Sequence, residues 1–474
     1  MATSKKATAR PAYRCAECGW TTAKWVGRCG ECQAWGSIGE AAAPALRTAA
    51  GPVTTPAVPI REVAVEHSTA RTSGVPELDR VLGGGLVQGA AILLAGEPGV
   101  GKSTLLLEVA AQTARLGGRT LYVTGEESTS QVRLRADRTG AVQDGLYLAA
   151  ETDLGALLTH VEQVRPQLLV VDSVQTVGAS DVDGAHGGVT QVKEVAAALV
   201  RVAKTRGTTV VMVGHVTKDG SIAGPRVLEH LVDVVLHFEG DRASRFRMVR
   251  AVKNRFGPVD EVGCFDLSAE GIVAVTDPTG LFVEHHRSQV PGTCVAVTME
   301  GRRPMLAEVQ ALVAASPQDR PRRTVSGLDS SRLAMVLAVL QQHGGLPLHT
   351  HDVFASTVGG ARVHEPASDL AVAVALASAS YGTPPPLGVV AMGEIGLAGE
   401  LRKVRDLELR LAEAARQGFR LAIVPGTAPA APRRPEAWTV DGMRVVDVPD
   451  VVGALQLLRL SKADPAHGRS HPAL

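Results

Sequence analysis

The chain has 474 residues, of which 45% are hydrophobic and 20% charged, so it has the composition of a globular protein with room for two or three domains. Its formal net charge of +1 excludes a surface coated with positive charge and confines any nucleic-acid contact to a local patch or a pore. No apolar run reaches the roughly 18 residues that span a bilayer, and the polar start lacks a secretory signal. We therefore expect a cytoplasmic protein without a membrane partner.

Four of the six cysteines lie close together near the start of the chain. They form two Cys-x-x-Cys knuckles separated by ten residues, at Cys15, Cys18, Cys29 and Cys32. Two knuckles supply the tetrahedral set of sulfur ligands that Zn²⁺ prefers, and filling all four positions leaves no open site for catalysis. In a cytoplasmic chain such cysteines favour metal ligation over a redox pair. The pattern predicts a structural zinc finger over residues 13–36.

The same segment contains three of the four tryptophans, Trp20, Trp25 and Trp35. The sequence favours these side chains as the core of the small module, and an exposed stacking platform is the alternative. The following residues, 37–66, are rich in Ala, Pro, Thr and Gly and have no helical or strand period. They are predicted to form a linker.

An α/β domain is predicted over residues 67–286, and its first elements carry a nucleotide-binding signature. A short apolar strand, AAILLA, runs directly into GEPGVGKS and then into the helical segment TLLLEVAAQTARLG. This order fits the pattern G-x-x-x-x-G-K-S, in which backbone amides and Lys102 bind phosphates while the Ser103 hydroxyl ligates Mg²⁺. The predicted ATP-binding residues form one run: Gly96, Glu97, Pro98, Gly99, Val100, Gly101, Lys102, Ser103 and Thr104.

Polar side chains end the neighbouring predicted strands. QLLVVDS ends in Asp172, the expected partner in the magnesium shell, and LYVTGEES ends at Glu126 and Glu127. A carboxylate at Glu126 can orient and deprotonate the attacking water, which indicates hydrolysis; a surface acidic pair is the alternative. His215 ends TTVVMVGH, where it can sense the γ-phosphate or serve as a hydrogen-bonded core histidine.

Positive charge is concentrated in two further segments. The Gly-rich stretch TKDGSIAGPR contains Lys218 and Arg226 and is a candidate binding loop. The stretch RASRFRMVRAVKNR has six basic side chains from Arg242 to Arg255 and no acidic one. Its alternating pattern predicts a strand with one wet face that ends at Lys253 and Arg255, where side chains can reach a neighbour. A solvated strand face is the alternative.

These motifs resemble the bacterial RadA (also called Sms) family of recombination and repair proteins. The resemblance rests on GEPGVGKST, TGEES, VVDS, the tract HVTKDGSIAGPRVLEHLVDVVLHFEG and KNRFG, set behind a four-cysteine finger. It implies a RecA-like ATPase core related to replicative ring helicases of the DnaB type, assembled as a homo-hexamer around DNA. In such rings a Lys-x-Arg-x-Gly strand end reaches the neighbouring subunit's nucleotide, a role that falls here on Lys253 and Arg255.

The resemblance also links this strand end to DNA. It therefore adds Lys253 and Arg255 to Lys218 and Arg226 as predicted DNA-binding residues. It makes the RecA recombinase a candidate partner of the zinc finger.

The last domain is predicted over residues 287–458, before a flexible tail at 459–474, and looks like the proteolytic domain of Lon protease. Lon-type cleavage needs a serine nucleophile activated by a lysine. Where Lon reads Pro-Ser, this chain has Pro366 and Ala367, with Ser368 one place later, and the lysine position falls on Glu408. We expect a non-proteolytic scaffold; a protease that uses the shifted Ser368 is the alternative.

The predicted fold is therefore an α/β protein with a RecA-like P-loop ATPase core, an N-terminal four-cysteine zinc finger and a C-terminal Lon-protease-like α/β domain. The expected function is that of a DNA-dependent ATPase and ring helicase that uses ATP, Mg²⁺ and Zn²⁺. It would translocate on single-stranded DNA and process or migrate branched DNA in recombination and repair. The alternative is a signalling or protein-remodelling ATPase of the RecA or KaiC type without DNA motor activity.

Overall fold

The computed structural model describes residues 13–40, 57–62, 70–182, 184–215, 227–240, 244–278, 282–283, 289–317, 320–426 and 437–460. The chain divides into two compact units, one ending at Ala64 and one beginning at Val65. Most of the predicted linker, the loop residues Lys218 and Arg226, and the end of the predicted tail from residue 461 onward lie outside the described residues.

The N-terminal unit contains a small antiparallel sheet that brings the two cysteine knuckles together. Its strands have the order β2-β1-β3 and are β1 (Tyr13–Cys15), β2 (Thr21–Thr22) and β3 (Ile38–Glu40). Strand β3 lies beyond residue 36, where the sequence analysis ended the finger, and its Ile38 packs in one buried cluster with Cys15 and Cys29. A 3₁₀ turn at Ile60–Glu62 lies within the predicted linker.

The second unit begins with the predicted ATPase domain. A two-stranded ribbon of β4 (Ala70–Arg71) and β5 (Leu86–Val87) precedes its large sheet. The strands of the large sheet are β6 (Ala91–Gly96), β7 (Thr120–Thr124), β8 (Leu146–Ala150), β9 (Leu168–Asp172), β10 (Thr209–His215), β11 (Val234–Glu239), β12 (Phe246–Asn254), β13 (Val262–Ser268) and β14 (Gly271–Ala274). The helices are α1 (Pro76–Leu82), α2 (Lys102–Arg115), α3 (Thr129–Thr139), α4 (Leu154–Val164), α5 (Val189–Arg206) and α6 (Val227–Leu231).

The order of the large sheet is β14-β13-β12-β11-β6-β10-β9-β7-β8. Strands β11, β6, β10, β9, β7 and β8 are parallel, whereas β12, β13 and β14 join antiparallel. Parallel strands covered on both faces are apolar throughout, as the fully buried runs AILLAG and LLVVD are. The carboxyl ends of the parallel strands share one edge, which is where open α/β sheets bind ligands.

Two hydrophobic clusters hold helices against opposite faces of this sheet. One cluster joins α1, α2 and α3 to the sheet through residues such as Leu78, Leu105 and Val132. The other joins α4 and α5 through residues such as Leu157 and Val192. Because α2 packs directly behind the end of β6, the start of this helix is held at the ligand edge of the sheet.

The C-terminal domain contains an eight-stranded sheet of order β17-β18-β16-β15-β19-β22-β24-β23. Its strands, with the separate hairpin β20-β21, are β15 (Thr293–Glu300), β16 (Arg303–Ala315), β17 (Arg323–Ser326), β18 (His351–Thr357), β19 (Val389–Ala391), β20 (Glu394–Ile395), β21 (Leu401–Arg402), β22 (Leu421–Pro425), β23 (Ala437–Val440) and β24 (Met443–Val448). The helices are α7 (Ser330–Gln342), α8 (Asp369–Tyr381), α9 (Leu407–Arg416) and α10 (Val451–Leu457), with 3₁₀ turns at Leu348–Thr350, Val358–Gly360 and Pro366–Ser368.

Helix α8 is the centre of this domain. Its sequence, DLAVAVALASASY, is apolar nearly all round, and every residue from Asp369 to Ser378 is buried. Leu460, which the sequence analysis assigned to the flexible tail, is fully buried in the same core, so the ordered domain continues past residue 458. Among the described helices, none has both the length and the apolar character that crossing a membrane requires.

Polar contacts join the ATPase and C-terminal domains within the second unit. Arg303, at the start of β16, forms a buried ion pair with Glu77 of α1 and donates to the Thr276 carbonyl at 2.6 Å. Nearer the surface, Arg250 of β12 donates to Glu300 at 2.8 Å, and Gln417 donates to Asp277 at 2.8 Å. The two domains therefore share a continuous polar seam.

Candidate functional sites

The phosphate loop connects β6 to α2 at the ligand edge of the large sheet. Gly99 and Gly101 have φ angles of 81° and 107°, a left-handed region that side chains with a Cβ rarely adopt. A Cβ on Gly101 would also lie 3.2 Å from the Leu267 side chain. Helix α2 then begins at Lys102, so its unpaired first amides point into the loop and form a site for an anion.

Lys102 is buried at the base of this loop. Its ammonium group donates to the carbonyl oxygens of Gly96 and Glu97 at 2.7 and 2.8 Å. Burial lowers the pKa of Lys102 to about 8, although the carboxylates of Asp172 and Glu126 act in the opposite direction. The loop therefore holds a lysine whose charge would be stabilised further by phosphates.

Glu126 lies at the end of β7, where two side chains donate to it. The hydroxyl of Ser173 donates to Glu126 Oε1 at 2.7 Å, and Nε2 of His215 lies 3.0 Å from the same oxygen. Burial raises the pKa of Glu126, but these hydrogen bonds outweigh it and hold the pKa below its usual value. Glu127, by contrast, is ion-paired with Arg135. The structure thus brings Glu126 and His215 together and gives the two glutamates different surroundings.

Asp172 ends β9 beside the loop, as the sequence predicted for a magnesium-shell residue. Its Oδ2 accepts a hydrogen bond from the hydroxyl of Tyr122 at 2.6 Å. Burial and the nearby Asp172 carboxylate raise the pKa of Tyr122 well above its usual value, so the phenol stays a donor. Tyr122 was missed by the sequence analysis because a tyrosine inside an apolar strand has the pattern of a core residue.

Arg247 is a second residue that the sequence analysis missed. It belongs to the basic run, yet it is buried, and its Nε donates to the Val100 carbonyl of the phosphate loop at 2.9 Å. Its Nη1 donates to the Ser244 carbonyl at 2.6 Å. The solvated-face interpretation is therefore wrong for Arg247, which supports the loop from strand β12.

Lys253 and Arg255 lie at the opposite end of the sheet from the chain's own phosphate loop. Lys253 donates to the carbonyl oxygens of Glu229 and Val232 at 2.6 and 2.7 Å. Arg255 lies 3.2 Å from Asp233, which also accepts from the backbone amide of Ala91, the first residue of β6. Since the phosphate loop follows the last residue of β6, the length of that strand, about 16 Å, separates the two groups.

The four cysteines converge in the N-terminal unit. All four sulfur atoms lie within 4.8 Å of one another, with Cys15–Cys32 at 3.7 Å and Cys18–Cys29 at 3.5 Å. Sulfurs about 2.3 Å from a tetrahedral zinc ion would be separated by about 3.8 Å, so the geometry fits Zn²⁺. Trp20 packs against this cluster, but Trp25 and Trp35 are exposed, so the predicted core role is wrong for these two tryptophans.

Curated relatives match this chain over nearly its whole length. It is 52% identical over 462 residues to the DNA repair protein RadA of Mycolicibacterium smegmatis, covering 95% of this chain and 97% of the relative. The RadA proteins of Mycobacterium tuberculosis H37Rv and Bacillus subtilis are 51% and 41% identical, over 95% and 94% of this chain and 94% and 97% of those relatives. The chain belongs to the RadA family of DNA repair proteins.

Three domain families account for the architecture of this RadA family member. Residues 57–221 match the AAA domain, residues 13–40 the rubredoxin metal binding domain, and residues 359–428 subunit ChlI of Mg-chelatase. A solved structure of an isolated ATPase domain is similar at 14% identity and a TM-score of 0.39, covering 44% of this chain and 92% of that one. The predicted fold is confirmed, and the ATPase domain and four-cysteine ribbon bear out ATP and zinc as ligands.

The C-terminal domain of this RadA family member places the Lon-type catalytic positions as follows. Ala367 and Ser368 are buried in a 3₁₀ turn, and the Ser368 hydroxyl donates to the Glu365 carbonyl at 2.8 Å. The cavity beside Ser368 has a volume of about 10 Å³, room for no more than a water molecule. Arg410 is fully buried in an ion pair with Glu365 next to this turn.

Proposed function

We propose that this RadA family member is a single-stranded-DNA-dependent ATPase that assembles into a ring, with each ATP site completed by the neighbouring subunit. Hydrolysis around the ring drives translocation on single-stranded DNA and so processes or migrates recombination branches. The homo-hexamer is the proposed form of the ring, with single-stranded and branched DNA as its substrates.

The observation that carries this proposal is the position of Lys253 and Arg255. Both cations end strand β12, which runs antiparallel to the strand next to β6, so they lie at the end of the sheet away from the chain's own phosphate loop. An arginine supplied to a transferring phosphoryl group can increase the rate about 10³- to 10⁵-fold. For Arg255 to act in this way, the nucleotide must belong to another subunit.

The residues at the ligand edge support hydrolysis as the chemistry. Lys102 and the first amides of α2 bind the phosphates, and Glu126, ionised at neutral pH, accepts a proton from the attacking water. Ser103 and Asp172 would hold Mg²⁺, which supplies charge neutralisation on the phosphate oxygens. His215 contacts Glu126 and is the last residue of β10, so it can pass the state of the site to the loop behind it.

Stimulation of ATP hydrolysis by single-stranded DNA is the test. We expect oligo(dT) to increase turnover by the full-length protein and Lys102→Ala to abolish it, because the phosphates lose their main cation. Turnover that ignores DNA would instead favour the signalling or remodelling ATPase.

The shared site has a test of its own. Lys102→Ala and Arg255→Ala subunits should each be inactive, but mixed rings should recover some activity at interfaces that pair an intact loop with an intact Arg255. If mixed rings form and no mixing ratio restores hydrolysis, Arg255 does not act across the interface.

Lys218, Arg226, Lys253 and Arg255 are the proposed contacts to DNA phosphates. Affinity for single strands should then fall with salt, with a slope of about 0.7 per phosphate neutralised, and each neutral substitution should flatten that slope. The RecA recombinase is a proposed partner of the zinc finger, to be tested by binding of purified RecA to the zinc-loaded protein.

The C-terminal domain is proposed to be a non-proteolytic scaffold of the ring. The buried, hydrogen-bonded Ser368 and the closed cavity beside it support this role, as does Glu408 at the lysine position. Peptide hydrolysis that is lost in Ser368→Ala would contradict it.

A further inference from the structure

The zinc finger presents two exposed indole rings that the proposed ATP site does not use. Trp25 is 63% exposed and Trp35 77% exposed. The rings lie on either side of Gly27: a Cβ at that position would be 3.8 Å from Trp25 and 3.9 Å from Trp35. No side chain at residue 27 therefore separates them, and the two rings are near enough to contact neighbouring nucleotides of one strand.

The backbone around these rings is held by the zinc-binding knuckle. Gly36 donates to the Gly27 carbonyl at 3.0 Å, and Cys29 donates to the Ala34 carbonyl at 3.0 Å. These bonds tie the two ends of the second knuckle together, with Trp35 bridged to Arg28 across them. The indoles are therefore preorganised, which lowers the entropic cost of binding a ligand.

The charges next to the rings are positive. The guanidinium carbon of Arg28 lies 5.6 Å from the ring centre of Trp35, a cation–π distance, and its Nε donates to the Gln33 carbonyl at 2.9 Å. Lys24, next to Trp25, is exposed. From residue 19 to residue 30 the sequence has no acidic side chain. The exposed aromatic surface is thus bordered by cations.

We propose that Trp25 and Trp35 stack on consecutive bases of single-stranded nucleic acid, while Lys24 and Arg28 contact its phosphates. Flat rings bordered by cations are the combination that binds unpaired bases without sequence preference. An apolar protein partner would use the rings but gain nothing from the two cations. The proposal places a second nucleic-acid site on the finger, separate from the loop of Lys218 and Arg226.

The test compares the full-length, zinc-loaded protein with the double variant Trp25→Ala/Trp35→Ala in the absence of nucleotide. Stacking is worth about 1–3 kcal/mol per base, so we expect oligo(dT) binding, followed by fluorescence anisotropy, to weaken by about tenfold or more. The salt slope should stay the same, because no phosphate contact is lost. Trp438→Ala removes a tryptophan that is 41% exposed in the C-terminal domain and should bind like the unaltered protein.

A second measurement needs no substitution and remains decisive if the double variant loses zinc. Photo-crosslinking of a 5-bromodeoxyuridine strand to the unaltered protein should modify Trp25 or Trp35. Crosslinks confined to other residues, or a zinc-loaded double variant that binds oligo(dT) like the unaltered protein, would overturn the proposal and leave the indoles as a docking site for another protein. Both readouts omit ATP, so they are independent of whether DNA stimulates hydrolysis.

Discussion

Glu126 and Glu127 are adjacent carboxylates with different partners, which makes them a matched pair. Glu126→Gln should lower kcat by about 10²- to 10⁴-fold with little change in ATP affinity, because the variant keeps the shape but cannot accept the proton of water. Glu127→Gln loses only a partly exposed ion pair with Arg135 and should keep most of its activity. Steady-state ATP hydrolysis and nucleotide titrations check both. Equal losses in the two variants would show that Glu126 is not the base.

Lys102 makes nucleotide binding depend on pH. Its pKa of about 8 lies below the ordinary value, so the protein without nucleotide loses this proton as the pH rises through 8. Phosphates favour the charged form, so ATP binding should restore the proton, and affinity should fall above pH 8 by at most about tenfold per pH unit.

Calorimetric titrations in two buffers of different ionisation enthalpy measure that proton uptake. We expect uptake about one pH unit above the pKa and none in Lys102→Ala. The same uptake in both proteins would assign the proton to another group.

Strand β12 serves the phosphate loop with a buried side chain and solvent with an exposed one. Arg247→Ala removes donors from the Val100 and Ser244 carbonyls and should lower the free energy of unfolding by about 1–3 kcal/mol while weakening ATP binding. Arg245, two residues earlier, forms an exposed ion pair with Asp266, so Arg245→Ala should change stability by at most about 1 kcal/mol. Denaturant unfolding and ATP titration distinguish the two. An Arg247→Ala protein with normal ATP affinity would rule out support of the loop.

The ATPase and C-terminal domains are coupled by one buried ion pair and by exposed ones. Arg303→Met leaves Glu77 buried without its partner and should cost about 3–5 kcal/mol. Asp277→Asn weakens the exposed contact to Arg416 and should cost no more than about 1 kcal/mol. Urea unfolding of the full-length proteins measures both, and Arg303→Met should also separate the unfolding of the two domains into two transitions. A single transition at the unaltered midpoint would mean that this pair does not couple them.

The contiguous motifs of this chain could be predicted from sequence, and the long-range placements could not. The phosphate loop and the cysteine knuckles each bring their chemistry together within a few residues, so spacing alone predicts the geometry. The burial of Arg247 and the position of Arg255 depend instead on β12 pairing antiparallel to β11, a choice made by tertiary packing. The exposure of Trp25 and Trp35 likewise depends on how a small zinc-held loop closes. Sequence patterns carry no signal for these outcomes.

The opposite placement of the phosphate loop and Arg255 has a consequence for stoichiometry. Under the proposed arrangement every chain contributes one half to each of two sites, so an open row of n subunits contains n − 1 complete sites. Closing the row into a ring adds the last site without adding a subunit. A six-membered ring that opened to admit a DNA strand would therefore lose one sixth of its complete sites and regain it on closing.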